Sequence, residues 1–162
     1  MTERDPFLAA AREVLALALT EMRGCIEGAW TEALNWRPGG DDTNSIAVLA
    51  VHAVGSTRTW LSIALGAPLP ERDRAAEFLA TADGAQTLLE RFDAIARDCT
   101  VLLEAAVEID WRALRAAHSR PGADAPRNVL AAWALIHALE HLREHEGQMF
   151  LTRQLWDQGA AG

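Results

Sequence analysis

The sequence contains no lysine and no tyrosine, so all fifteen of its Lys/Arg-type cations are arginines. That excludes lysine Schiff-base chemistry, a phosphate-gripping P-loop lysine and a tyrosine general acid. Cysteine is nearly absent too. Cys25 and Cys99 stand alone in apolar helical patterns, without CxxC or zinc-ribbon spacing, and read as buried, reduced thiols of a cytoplasmic chain. Positive charge is in deficit: 15 basic against 23 acidic residues gives −8. No net positive field is available to recruit nucleic-acid phosphates or anionic lipid. Long uncharged runs are missing as well. Asn44–Thr57 is shorter than the roughly 18 residues a membrane span needs, and it contains His52. Met1–Pro6 is charged and Val14–Leu19 lacks a small-residue cleavage site, so no secretory signal is read.

What is present is helical. The 162 residues, half of them apolar, are the length of one domain spanning 1–162. Asp5-Pro6 opens a first amphipathic helix of about six turns, from Phe7 to Ile26. Pro38-Gly39-Gly40-Asp41-Asp42 is a loop, after which Thr43, Asn44 or Ser45 can cap a second helix ending at Gly66. A long connection, Ala67–Ala82, carries Pro68, Pro70 and a helical turn near Ala75–Leu79. Asp83 caps a third helix, Gly84–Val107. Asp110–Pro126 reads as loop with Trp111 and Leu114 as plugs, and a last helix runs from Arg127 or Asn128 to Asp157. Four long helices and one long crossover, between the second and third, make an all-α four-helix bundle.

His137, His141 and His145 recur every four residues, stepping about 40° around the last helix. Their sector also holds Leu130, Trp133, Ala134, Leu151 and Leu155, with Glu144 and Gln148, so the imidazoles read as interrupting the core stripe. Burying them costs a few kcal/mol each unless something satisfies them. A divalent metal does so, and i, i+4 histidines present two ring nitrogens to one ion. His52, inside the stripe of the second helix, supplies a third ligand. The bland alternatives are a hydrogen-bonded core histidine at 52 and a solvated face around Glu140 and Arg143. Other patterns fall away. His145-Glu146 opens like a zincin helix, but the second histidine position is Met149; no ExxH, GxSxG, GxGxxG or P-loop occurs. His118, before Arg120-Pro121-Gly122, reads as surface.

The run from His137 to Gln148, HALEHLREHEGQ, resembles the terminal-helix signature HxxxHxxHHxGQ of the DinB/YfiT-like metalloprotein superfamily, with Glu144 in place of one histidine. Leu34-Asn35-Trp36-Arg37-Pro38, then Asn44-Ser45-Ile46-Ala47 and His52, is similar to that family's entry to the second helix. Arg74–Phe78 is similar to its RxxEF linker. The resemblance spans about Asp5–Trp156. It implies an up-down-down-up bundle, often dimeric, with a divalent metal (zinc or nickel here) held by His52, His141 and His145. His137 matches a frequent family histidine that is not a usual ligand. Family members with an activity mostly use low-molecular-weight thiols such as bacillithiol or mycothiol, so a metal-dependent thiol S-transferase acting on a small molecule is expected. A metal-dependent hydrolase and a non-enzymatic metal-binding or dimerising bundle are the alternatives. Glu144 is expected on the core side, assisting proton movement or holding a ligand imidazole, the alternative being an ion-pair partner at the cavity rim. The first helix, with Trp30, Trp36, Trp111 and Trp156, carries more apolar bulk than one small bundle buries, which points to a symmetric homodimer.

Overall fold

The structure, a computed structural model, describes residues 5–117 and 127–159; His118 lies outside them. Helix α1 (Pro6–Ile26) begins as the Asp5-Pro6 pair dictates. The Asp5 carboxylate accepts from the Phe7 and Leu8 backbone amides at 2.9 and 3.3 Å, satisfying donors that a helix start leaves free. Its second oxygen accepts from Trp111 Nε1 at 2.6 Å, so one side chain both caps α1 and anchors a plug from the far end of the chain. A short α2 (Thr31–Asn35) and a 3₁₀ turn (Gly40–Asp42) lead to α3 (Ile46–Leu65). Ser45, of the three possible caps, is the one used, its Oγ accepting from Val48 N at 3.2 Å. Gly66 ends α3 at φ 69°, a left-handed conformation that costs glycine nothing.

α3 is the central helix, packed against both α5 (Ala85–Ala105) and α6 (Ala131–Gly159); α1 lies against the same two. Among the described residues it is the one helix long and apolar enough to cross a membrane, yet its apolar stretch is mostly buried by the other helices. The protein is mostly helical, with four long helices around a shared core that includes Phe92, Leu103, Met22, Leu61 and Leu142.

Two expectations are corrected. The segment read as loop contains a strand, β1 (Leu114–Ala117), paired antiparallel with β2 (Arg127–Leu130), so α6 begins at Ala131 rather than at Arg127 or Asn128. Val129 apart, the four-residue strands hold Leu, Arg, Ala and Asn, which carry little strand propensity, so pairing with one another does more to fix them than local preference. Leu114, expected as a plug, is 67% exposed, whereas Trp111 does pack on the core and against Phe7, centroids 6.0 Å apart.

The long connection carries α4 (Arg74–Phe78), capped by Asp73. It is laced to the start of the chain. Asn35 exchanges two 2.8 Å hydrogen bonds with the Ala82 backbone, and Arg37 donates to Phe78 O at 3.4 Å and Thr43 O at 3.2 Å. These contacts hold α4 against the middle of α3.

Candidate metal centre

His52 on α3 and His141 and His145 on α6 converge: one nitrogen from each lies within 4.8 Å of the other two. The His52 ring centroid is 5.3 Å from that of His141 and 5.1 Å from that of His145. His141 Nε2 and His145 Nε2 are 3.2 Å apart, close to the roughly 3.3 Å between two ligands of a tetrahedral ion bound at about 2.0–2.1 Å.

The partners of the outer nitrogens decide which lone pairs face inward. Glu77 Oε2 lies 3.0 Å from His52 Nδ1, and Arg72 grips the same carboxylate through Nε and Nη2 at 2.6 and 2.7 Å. Burial raises the Glu77 pKa, but the hydrogen bonds from His52 and Arg72 outweigh it and hold the carboxyl below its ordinary value. An ionised carboxylate can only accept, so in the neutral ring it is His52 Nδ1 that carries the proton, leaving the Nε2 lone pair free. Phe78, 4.5 Å from the His52 ring, closes the other side. On α6, Gln148 Nε2 donates to Glu144 Oε1 at 3.5 Å, which turns the amide oxygen towards His145 Nδ1 at 2.9 Å. His141 Nδ1 is buried with no hydrogen-bond partner among the described residues. Burial first, then the neighbouring imidazoles, pushes His141 down to about 3; burial and His52 lower His145 as well. Both rings are therefore neutral at pH 7, the form that ligates a metal.

Glycine is required beneath this clamp. A Cβ on Gly55, one turn beyond His52, would stand 2.6 Å from Glu77 Oε1. Only a bare backbone lets the carboxylate approach α3 this closely.

Three sequence expectations shift. The stripe of α6 centres near Ala138, Leu142 and Met149, so His145, His141 and His137 sit about 40°, 80° and 120° from it, spiralling outward rather than interrupting the core. Leu151 and Leu155, read as core, are 56% and 40% exposed. Glu144 is exposed, not core-facing; it reaches His145 only through Gln148. His137 stands apart from the trio. It stacks on Trp133 at 4.8 Å and meets Trp60 edge-on at 4.7 Å. The buried carboxylates that sequence reasoning passed over are Glu77 and Glu146. Glu77 was legible as the acidic residue of the linker motif, but its partner lies 25 residues away. Cys25 and Cys99 are free and buried, and burial pushes their thiols up to about 11 and 12, so neither is an activated nucleophile.

A family model described as the DinB superfamily matches residues 14–149. This chain belongs to the DinB superfamily. The superfamily fold recurs in the crystal structure of a conserved protein from Enterococcus faecalis, with a TM-score of 0.68 at 17% identity, covering 91% of this chain and 95% of that one. At that identity the likeness is one of fold. No curated protein matches this DinB-superfamily chain.

Proposed function

We propose that this chain holds a divalent metal, zinc or nickel, on His52, His141 and His145, and serves as a metal-dependent thiol S-transferase for a small-molecule electrophile. The observation that carries the reading is the convergence of three imidazoles within 4.8 Å, two of them with their outer nitrogens tied to acceptors. Bound there, an ion with three neutral nitrogen ligands would supply a Lewis-acid centre with an open coordination position, able to lower the pKa of a thiol. The chain's own residues do the positioning. Arg72 and Glu77 fix the His52 ring, Gln148 orients His145, and Glu144 steadies Gln148. The thiol is external, because both cysteines are buried and protonated at neutral pH. Two free buried cysteines also suit a reducing, cytoplasmic setting.

The helix order is read as up-down-down-up. Arg12 near the start of α1 donates to Leu103 O and Ala106 O at the end of α5, and His52 and Trp60 of α3 lie beside His145 and Trp133 of α6 in reverse order. A homodimer belongs to the same reading, since α1 leaves Phe7, Val14 and Leu17 exposed on one side.

The test is thermal. A low-molecular-weight thiol should raise the melting temperature of the metal-loaded chain and leave the stripped chain unmoved. A loaded chain indifferent to every thiol, yet able to cleave an activated ester, would favour the hydrolase. Glu144→Gln should keep its metal and most of its activity. Loss of transfer with metal retained would make Glu144 the proton acceptor.

A further inference from the structure

Beside the three histidines a cleft of about 340 Å³ opens between the 3₁₀ turn and α6, within the range of small-ligand sites. Its walls are the two helices that carry the imidazoles. Leu49 lines it from one turn before His52 on α3; Gln148, Leu151 and Leu155 line it from one to three turns beyond His145 on α6. Because α3 and α6 pair in opposite directions, these steps lead the same way, about one turn or 5 Å from the centre at the near end. The other flank of the centre is occupied by Trp60, Trp133 and His137, packed ring to ring at 4.7–5.5 Å. Gln148 belongs to both places: its carbonyl faces His145 and its side chain lines the cleft.

The lining has one charged residue, Asp42, and no cation. Leu49, Leu151 and Leu155 supply an apolar wall, while Asn44 and the Gln148 amide offer hydrogen bonds. Among the lining residues themselves, an anion entering would find no countercharge and one repelling carboxylate. We propose that this cleft binds the second substrate of the reaction inferred above, and so rests on that reading. The ligand class is a small molecule with an apolar body and a neutral or cationic polar head, not a carboxylate or phosphate. The charge balance of the lining selects it, and the shared Gln148 joins the cleft to the histidine site.

Three naphthalene probes of one shape separate the outcomes: 2-naphthylmethylamine, 2-naphthalenemethanol and 2-naphthoate, titrated into the full chain with and without zinc and followed by NMR. The amine and the alcohol should bind saturably, shifting the Gln148 side-chain amide and the methyls of Leu49, Leu151 and Leu155. The amine should bind about two- to five-fold tighter than the alcohol, the scale of one exposed ion pair. Asp42→Asn should erase that preference, naphthoate should be weakest, and Leu155→Arg, at an exposed position, should abolish binding without moving the melting temperature. Naphthoate binding as well as the amine, or shifts confined to another surface, would overturn the proposal. Zinc uptake without probe binding sinks the cleft alone. Probe binding in a chain that takes up no zinc sinks the metal reading instead.

Discussion

Replacing Gly55 with alanine should weaken both the fold and the site, although helix propensity predicts the opposite. Gly55 lies within α3, where alanine is ordinarily favoured over glycine by about 1 kcal/mol. Here the new methyl would meet Glu77 Oε1 at 2.6 Å and Cδ at 3.4 Å. A carbon–oxygen contact relaxes near 3.3 Å, so the carboxylate must retreat by roughly 0.7 Å. It has little room to do so. Its side chain is 8% exposed, and Arg72 holds both oxygens while His52 holds one. A retreat directed away from His52 would stretch the 3.0 Å bond to as much as about 3.7 Å, beyond hydrogen-bond range. Losing a charge-assisted bond costs about 1.5–3 kcal/mol; offset by the propensity gain, the net loss is about 0.5–2 kcal/mol, or a few degrees in melting temperature. Freed to rotate, His52 should bind zinc about 10- to 100-fold more weakly, as expected when the outer partner of a ligand is disturbed. Thermal melts of metal-free protein and a zinc competition titration read the two effects. In a Glu77→Ala background the alanine at 55 should cost nothing and recover its propensity gain. A Gly55→Ala protein about 1 kcal/mol more stable than its parent, with unchanged zinc affinity, would refute the clamp.

Three further outcomes follow from the contacts. His137→Ala should retain full metal stoichiometry, because the ring is held by Trp60 and Trp133; metal loss equal to that of His141→Ala, measured by equilibrium dialysis, would place His137 among the ligands. Burial, then the hydrogen bond shared with Glu21, pushes Glu146 up to about 7 against the pull of Arg143; nearby Cys25 does not titrate until about 11. The raised pKa means this group's stabilisation is complete below about pH 4.5 and lost as pH rises to 7. Glu146→Gln should therefore flatten that part of the stability–pH curve of stripped protein and melt higher than the parent at pH 8; an unchanged slope would contradict it. Asp5→Ala removes the α1 cap and the Trp111 partner together and should cost about 1–3 kcal/mol in urea unfolding, with Trp111→Phe alone reproducing part of that loss; a cost below about 0.5 kcal/mol would mean the cap is solvent-shared.

The four long helices were legible from their apolar period, and the first two also from their punctuation: Asp5-Pro6, Ser45 and Gly66 fall where the chain turns, whereas Asp83, read as the cap of the third, gives way to Gly84, which makes no side-chain cap. The ribbon of Leu114–Ala117 with Arg127–Leu130 was not, since two four-residue strands hold too few residues to show a period. The trio of histidines was readable from spacing and resemblance, but the angular drift of an i, i+4 series was misjudged by about half a turn at Glu144 and Leu151. Four-residue steps overshoot a turn, and Leu135, Ala138, Leu142 and Met149, outside the sector of the histidines, mark the true stripe. Glu77, Arg72 and Gly55 could not be tied to His52 from the sequence. Their link is tertiary, made only when Asn35 and Arg37 draw the long connection across α3.

Zinc stoichiometry in untagged protein bears most directly on the central claim. The chain, stripped with a chelator and re-equilibrated against buffered zinc, should take up about one ion per monomer by elemental analysis. His52→Ala, His141→Ala and His145→Ala should each remove it while keeping the helical circular dichroism. A parent chain that binds no zinc, nickel or other first-row divalent ion, or single variants that bind it undiminished, would contradict the assignment of the three imidazoles as a metal centre.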